Sequence, residues 1–365
     1  MTIEEDIKNI EDEIRRTPYN KATSHHIGRL KAKLARLKDE LQKRATAKST
    51  GRGKGYAVKK SGHATVVMVG FPSVGKSTLL NSLTGTNSEV AAYDFTTLEV
   101  IPGTLHYKGA RMQFLDVPGL IQGASTGRGH GKEVISVMRN ADLILVIVDG
   151  FQPQQFDTLV KELYDAGIRI NTKPPEVVIQ KTSRGGIVVN STVDLELDEK
   201  TIRAVLSEYK IHNADVLIRE RITLDELIDV VVGNRKYIPA ITVINKIDLV
   251  DSETLQACNE RLPDAIPISA AVGTNIDALK DRIYNELGFI RIYMKPQGAS
   301  PDMDNPLVMK TDSTVADVCS TIHRDFVEKF RYARIWGQSV KYGGQRVGLS
   351  HVLADEDVVS VVVRK

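Results

Sequence analysis

The stretch Gly70-Phe71-Pro72-Ser73-Val74-Gly75-Lys76-Ser77-Thr78 directly follows the apolar run Ala64 to Val69. A Gly-x-x-x-x-Gly-Lys-Ser segment between a buried strand and a helix is a phosphate cradle. Its glycines let the backbone curl until successive N–H groups face an anion, and the following helix adds the positive end of its dipole. In such a cradle Pro72, Ser73, Val74 and Gly75 wrap the phosphates, Lys76 reaches the β- and γ-phosphates, and the Ser77 hydroxyl holds Mg²⁺. Three further segments follow in a fixed order: Asp116-Val117-Pro118-Gly119, Asn245-Lys246-Ile247-Asp248, and Ser269-Ala270-Ala271. Asp116 ends the apolar strand Met112 to Leu115, where a carboxylate joins a Mg²⁺ shell through water. Gly119 follows with a backbone N–H free to contact a γ-phosphate.

The third segment reads the base. It ends another strand, Ala240 to Ile244, and the Asp248 carboxylate can accept from both the ring N–H and the exocyclic amine of guanine. Adenine lacks that pair of donors, so a site built around buried acceptors selects GTP over ATP. Asn245 supports the loop, Lys246 lies along base and ribose, and the Ala270 N–H donates to the guanine oxygen, with Ser269 and Ala271 beside it.

These residues need a core to position them, and 365 residues at 42% hydrophobic content supply one large enough for two or three domains. The longest apolar runs, such as Leu143 to Val148, are too short to cross a bilayer, and the start Met1-Thr2-Ile3-Glu4-Glu5-Asp6 is acidic where a signal peptide would be basic. Cys258 and Cys319 provide neither a disulfide framework nor a metal cluster, and read as small buried thiols. Both points fit the cytoplasm. The net charge of +3 is unevenly spread. Residues 21–60 hold thirteen Lys/Arg against Asp39 and Glu40, a local +11 that leaves −8 for the rest. A basic arm on an acidic body fits contact with RNA phosphates; the other reading is a solvated helix face.

Ile3, Ile7, Ile10 and Ile14 repeat at helical spacing, as do Ile27, Leu30, Leu34, Leu37 and Leu41, with a break near Thr17-Pro18. Residues 1–60 therefore read as a basic helical hairpin, closed by the flexible linker Ser49 to Gly55. His25 and His26 have no partners at metal spacing. Alternating apolar strands and helical stretches over 61–289 predict βαβ units and a mostly parallel sheet. Between Gly119 and Asn245 lie 125 residues, about twice what two βα units of roughly 30 residues need. An α+β insertion is placed at 168–238. There Val177-Val178-Ile179 and Ile187-Val188-Val189 flank Ser183-Arg184-Gly185-Gly186 as a hairpin, followed by helices over Glu199 to Glu208 and Thr223 to Val232. Residues 290–365 read as strands Ile290 to Met294, Leu307 to Lys310, Arg334 to Trp336 and Val358 to Val363, the last introduced by the turn Ala354 to Asp357. They surround one helix with Val315, Val318, Ile322 and Phe326 on one side. This order suggests a small ubiquitin-like β-grasp.

The phosphate loop, Tyr93-Asp94-Phe95-Thr96-Thr97-Leu98, the run Asp116 to Ile121 and the glycines Gly123, Gly127, Gly129 and Gly131 together resemble the Obg-related GTPases. With the basic helical N-terminus, the insertion and a C-terminal piece that looks like a TGS domain, the whole chain is similar to developmentally regulated GTP-binding proteins. The resemblance implies an α/β P-loop GTPase fold and a cytoplasmic, translation-associated GTPase that works on or near ribosomes. RNA or ribosome contact would run through the basic N-terminus and the TGS-like domain, often with a dedicated regulatory partner protein, and the chain is expected to be a monomer. It assigns Gly75, Lys76 and Ser77 to phosphate and Mg²⁺, and Thr78 to the α-phosphate. Thr97, with Thr96 as the near alternative, becomes the threonine that meets Mg²⁺ and the γ-phosphate. Asp116 and Gly119 match the second switch, and Asn245, Lys246, Asp248, Ser269 and Ala270 the guanine site. Lys76, Thr97, Asp116 and Gly119 are thus the candidate catalytic set.

After Gly119, where many GTPases place glutamine, this chain has Leu120, as Obg-related proteins do. Leucine cannot orient water. Hydrolysis must then draw on backbone groups, another side chain such as Arg128, a monovalent cation or a partner, and intrinsic turnover on the order of 10⁻⁴ to 10⁻² s⁻¹ is expected. Potassium is the candidate cation, although Ser73 stands where potassium-activated GTPases often carry asparagine. The alternative reading is a ribosome- or RNA-binding adaptor in which nucleotide is a structural ligand.

Overall fold

In a computed structural model, residues 3–18, 20, 23–47, 62–85, 91–92, 99–117 and 131–364 are described. The linker expected at Ser49 to Gly55 lies outside them. Along the chain, α1 (Ile3–Arg16) and α2 (Ser24–Ala47) precede β1 (Ala64–Val69), α3 (Lys76–Thr84), β2 (Ala91–Ala92), β3 (Glu99–Tyr107) and β4 (Ala110–Asp116). Then come α4 (Gly131–Arg139), β5 (Leu143–Asp149), α5 (Gln155–Asp165), β6 (Ile168–Ile170), β7 (Val177–Lys181), β8 (Ile187–Ser191), α6 (Glu199–Glu208), β9 (Ala214–Ile218), α7 (Leu224–Val232) and β10 (Lys236–Ile238). The remainder is β11 (Ala240–Asn245), α8 (Ser252–Arg261), β12 (Ile266–Pro267), α9 (Ile276–Glu286), β13 (Phe289–Met294), β14 (Leu307–Lys310), α10 (Val315–Ile322), α11 (Asp325–Glu328), β15 (Phe330–Trp336), β16 (Gln345–Val347) and β17 (Val358–Val363).

A seven-stranded sheet of order β12-β11-β5-β1-β4-β3-β2 carries the site. Its first five strands in that order, β12 to β4, are parallel, and β3 pairs antiparallel with both β4 and the edge strand β2. Strands buried on both faces need unbroken apolar runs. β1 and the first six residues of β5 are accordingly buried at every position. Register places Met68 beside Asp116 and Asn245 beside Asp149, so the parallel strands deliver their loops to one edge. That edge, at the carboxyl ends of the strands, is where open α/β sheets bind ligands.

Two compact units divide the chain. The sheet and the C-terminal residues belong to one, while the N-terminal helices and Val160–Ile238 form the other. The sequence treats the helical hairpin and the insertion as separate pieces, yet they share a core: Ala32 of α2 is fully buried with Ile202, Val205, Leu206 and Leu227. The short side chain is what permits α2 to approach so closely. Within this unit Asp229, 6% exposed, joins two guanidinium groups. Arg169 donates to both of its oxygens, Nε to Oδ2 at 2.6 Å and Nη2 to Oδ1 at 2.8 Å, and Arg235 Nε donates to Oδ1 at 2.8 Å. The Arg169 guanidinium also lies 3.5 Å from the Tyr164 ring centroid.

The expected hairpin does not form. β7 and β8 both pair with β9, which sits between them, antiparallel to β7 and parallel to β8. The reason lies in burial: Ala214, Val216 and Ile218 of β9 are fully buried, whereas β7 and β8 are half-exposed edges. A parallel β8–β9 pair requires a crossover, and α6 supplies it. Asp198 caps that helix by accepting from the Thr201 N–H at 2.8 Å. α7 opens with a capping box between Thr223 and Glu226.

The C-terminal residues form a five-stranded sheet of order β14-β13-β17-β15-β16, with β13 and β17 parallel at its centre and α10 packed through Val315, Val318 and Cys319. This is the expected β-grasp, with two differences. β15 starts four residues earlier than Arg334 and pairs with β16, a strand the sequence does not announce. Ile322, at the last position of α10, is 40% exposed, because the helix ends at His323 and Phe326 reaches the core from α11. Cys258 and Cys319 are both free and buried. His25 and His26 are exposed, with His26 Nε2 2.9 Å from Glu13. No helix among the described residues is long and apolar enough to cross a membrane.

Candidate functional site

β1 ends at Val69 and the chain turns through Gly70 to Gly75 into α3. Gly75 has φ +94°, and a Cβ there would lie 2.4 Å from Asn245 Nδ2. Only glycine meets both conditions. Ser73 takes a left-handed conformation as well, at φ +64°, and with Pro72 is exposed, while Val74 is anchored in the core at 2% exposure. No side chain caps α3. Gly75 has no side chain to cap them, so the first-turn N–H groups of Lys76, Ser77 and Thr78 make a helix N-terminus of the kind that binds anions.

Lys76 Nζ donates to the carbonyls of Gly70 and Phe71 at 3.0 and 3.1 Å. Burial pushes its pKa below the ordinary lysine value, against an opposing pull from Asp116. Ser77 Oγ donates to Asp116 Oδ2 at 2.8 Å. Asp116 itself is 5% exposed, and its Oδ1 is buried with no hydrogen-bond partner among the described residues. A buried carboxylate oxygen left with open lone pairs beside a serine hydroxyl is a donor set suited to a hard cation such as Mg²⁺.

Asn245 joins the two halves of the site. It is 2% exposed; its Nδ2 donates to the Val74 carbonyl at 2.8 Å and its Oδ1 accepts from the Ala270 N–H at 3.0 Å. The phosphate loop and the Ser269 loop are therefore tied through one amide. This differs from the sequence expectation, which gives the Ala270 N–H to guanine; here Asn245 holds it. Ser269 is fully buried and its Oγ accepts from the Val272 N–H at 3.2 Å, which shapes the turn that leaves Ala271 exposed.

Lys246, at φ +67°, donates from its ammonium to Asp149 Oδ2 at 2.7 Å. Asp149 was missed because nothing marks the last residue of an apolar strand as a partner for a lysine 97 positions later. Asp248 is exposed, so selection by a buried acceptor does not describe this arrangement. Its carboxylate stands at the rim, where it can take two donors from a base edge. Thr96, Thr97, Gly119, Leu120 and Arg128 lie outside the described residues, as do Gly123, Gly127 and Gly129; Gly131 begins α4.

Comparison with known proteins gives the family of this chain. Residues 65–181 match the family described as 50S ribosome-binding GTPase, 184–289 the C-terminal region of that domain, and 290–363 the TGS domain. An uncharacterised GTP-binding protein of Methanocaldococcus jannaschii is 57% identical over all of this chain and 94% of its own length. The developmentally-regulated GTP-binding protein 1 homolog of Dictyostelium discoideum is 47% identical over 99% of this chain and all of its own. The developmentally-regulated GTP-binding protein 1 of Xenopus laevis is 47% identical over 98% of each chain.

Proposed function

The chain belongs to the developmentally regulated GTP-binding protein family and is a GTP-binding GTPase, and from that premise we propose that it is a slow, partner-stimulated switch acting on ribosomes. The observation that carries the reading is the Asn245 amide, which hydrogen-bonds the phosphate loop to the base loop on the sheet edge. A ligand that needs both, a guanine base at one end and a triphosphate at the other, finds them pre-positioned.

In this reading the first-turn N–H groups of α3 receive the phosphates, with Thr78 at the α-phosphate. Lys76 exchanges its two carbonyl partners for β- and γ-oxygens, and because burial already withholds water from its ammonium, the exchange favours the anion. Ser77, Asp116 and Thr97 hold Mg²⁺, which neutralises charge on the phosphate oxygens when bound. Asp248 takes the ring N–H and amine of guanine, and Lys246 leaves Asp149 to lie along the base. Gly119 meets the γ-phosphate.

Leu120 offers nothing to orient the attacking water, so stimulation comes from a ribosome, a regulatory protein or potassium. Order and release of 93–98 and 119–131 with the γ-phosphate would convert hydrolysis into altered ribosome affinity. The family described as 50S ribosome-binding and the TGS match support a ribosomal or RNA partner. A monomer working in the cytoplasm completes the reading. The test is GTP hydrolysis by the purified chain in sodium and potassium buffers, with and without ribosomes, with Lys76→Ala as the control. Acceleration by ribosomes or potassium supports the switch, and tight binding without turnover in every condition would leave an adaptor.

A further inference from the structure

Along β15 the residues alternate. Ala333 and Ile335 are fully buried in the β-grasp core, while Tyr332, Arg334 and Trp336 stand on the opposite face of the sheet. Directly across from Arg334 on the edge strand β16 is Arg346, so two guanidinium groups occupy one cross-strand pair. Like charges placed opposite each other destabilise a sheet. Around the same point the guanidinium carbons of Arg346, Arg334 and Arg331 lie 4.6, 6.0 and 5.9 Å from the Tyr332 ring centroid. Among the described residues none of the three forms an ion pair or side-chain hydrogen bond. By contrast, Arg291 on the same sheet is bound by Asp355 and Glu356. Two strands over, just past the end of β13, Lys295 Nζ lies 5.2 Å from the Trp336 ring centroid.

A row of two aromatic rings interleaved with unpaired cations has a chemical meaning. The cations suit a phosphodiester backbone, and a ring half-open on a sheet suits an unstacked base. We propose that the Tyr332–Arg334–Trp336 face, with Arg331, Arg346 and Lys295, is a binding platform for single-stranded RNA. It rests on the ribosome-directed reading above and places one contact of that reading on named residues. An acidic protein segment could satisfy the arginines, but it would leave the interleaved rings without a role. Paired RNA would hide its bases from them.

The experiment uses the full chain and a fluorescein-labelled single-stranded oligouridylate about 12 nucleotides long, within the range of site sizes such grooves cover. Arg334→Ser with Arg346→Ser is expected to weaken binding at least about ten-fold and to flatten the slope of log affinity against log salt by roughly 0.7 for each lost phosphate contact. Tyr332→Leu is expected to weaken binding about five- to ten-fold with the salt slope unchanged, because stacking releases no counterions, and Tyr332→Phe to restore it. GTP hydrolysis stays at the wild-type rate in all three, which also confirms folded protein. Unchanged RNA binding in these variants, equal affinity for a duplex of the same length, or equal competition by poly-glutamate would each overturn the platform. Ribosome co-sedimentation separates the two ideas. A wild-type chain that sediments with ribosomes while ignoring the variants overturns the platform alone, and one that binds the oligomer through this face yet never sediments with ribosomes overturns the ribosomal reading alone.

Discussion

Two buried aspartates in this protein have opposite surroundings. Asp229 has both oxygens saturated by two guanidinium groups, whereas Asp116 has one oxygen on Ser77 and the other buried with no partner among the described residues. A carboxylate is costly to bury, so its hydrogen-bond list indicates its purpose. The saturated one holds the fold together. The half-satisfied one retains a binding capacity that only a cation or another donor can use.

The contrast can be broken experimentally, and the largest effect is expected at Asp229. Asp229→Asn strands two cations that have no other acid on them among the described residues, and removing one partner of a buried pair costs roughly 3–5 kcal/mol. Because the chain has two units, the readout is amide-exchange protection of α6 and α7 rather than a global melt. Guanine-nucleotide affinity is expected to hold. Asp116→Asn should do the reverse, slowing single-turnover hydrolysis about 10²- to 10³-fold while the thermal midpoint stays or rises. A loss of amide-exchange protection in β1 and β4 as large as that of α6 and α7 in Asp229→Asn would mean that Asp116 is structural too.

Next comes the loop that depends on Asn245. Gly75→Ala forces φ +94° on a side chain and drives its Cβ against the Asn245 amide, so GDP affinity should fall by about 1–3 kcal/mol. Gly85→Ala has φ +67° and nothing within 4 Å, and serves as the control for conformation alone. Equal losses in the two would remove Asn245 from the explanation.

The smallest effect tests an exposed histidine whose charged form is disfavoured by partial desolvation and by its cationic neighbours. His63 Nδ1 accepts from the Arg111 N–H at 2.9 Å. Burial, then Arg111 and Lys310, lower its pKa below the ordinary 6.5. The unfolded chain therefore takes up the proton first, so the contribution is complete above pH 6.5 and is lost as pH falls through the lower folded value. Between about pH 7.5 and about 5.5 the stability of the unit carrying β1 and β4 should decline, and His63→Gln should flatten that slope. An identical slope in the variant would assign the decline to other groups.

Much of this was legible because the relevant signals are local. Strands β1, β5 and β11 are continuous apolar runs, and the phosphate loop is contiguous. The failures share a cause, since they concern partners distant in sequence or elements with weak patterns. β9 enters between β7 and β8 because of three buried side chains that no turn chemistry announces. β16 is only Gln345-Arg346-Val347, too short and polar to show alternation. Asp149 and Lys246, or Arg169 and Asp229, meet only once the sheet and helices are in place. The exposure of Asp248 depends on a loop shape that composition does not specify.

Ala32 also has a consequence in time. α2 ends at residue 47 and α6 begins at residue 199, a delay of 152 residues during synthesis. At roughly 5–20 residues per second this is about 8–30 s. Throughout that interval the nascent α2 has no insertion core to join, and only its Leu30 and Leu37 side, packed on Ile10 of α1, can be sealed. The opposite stripe is closed by an alanine rather than a leucine. A hairpin whose waiting surface is so weakly adhesive can leave the exit tunnel early and idle on its tether until its partner emerges.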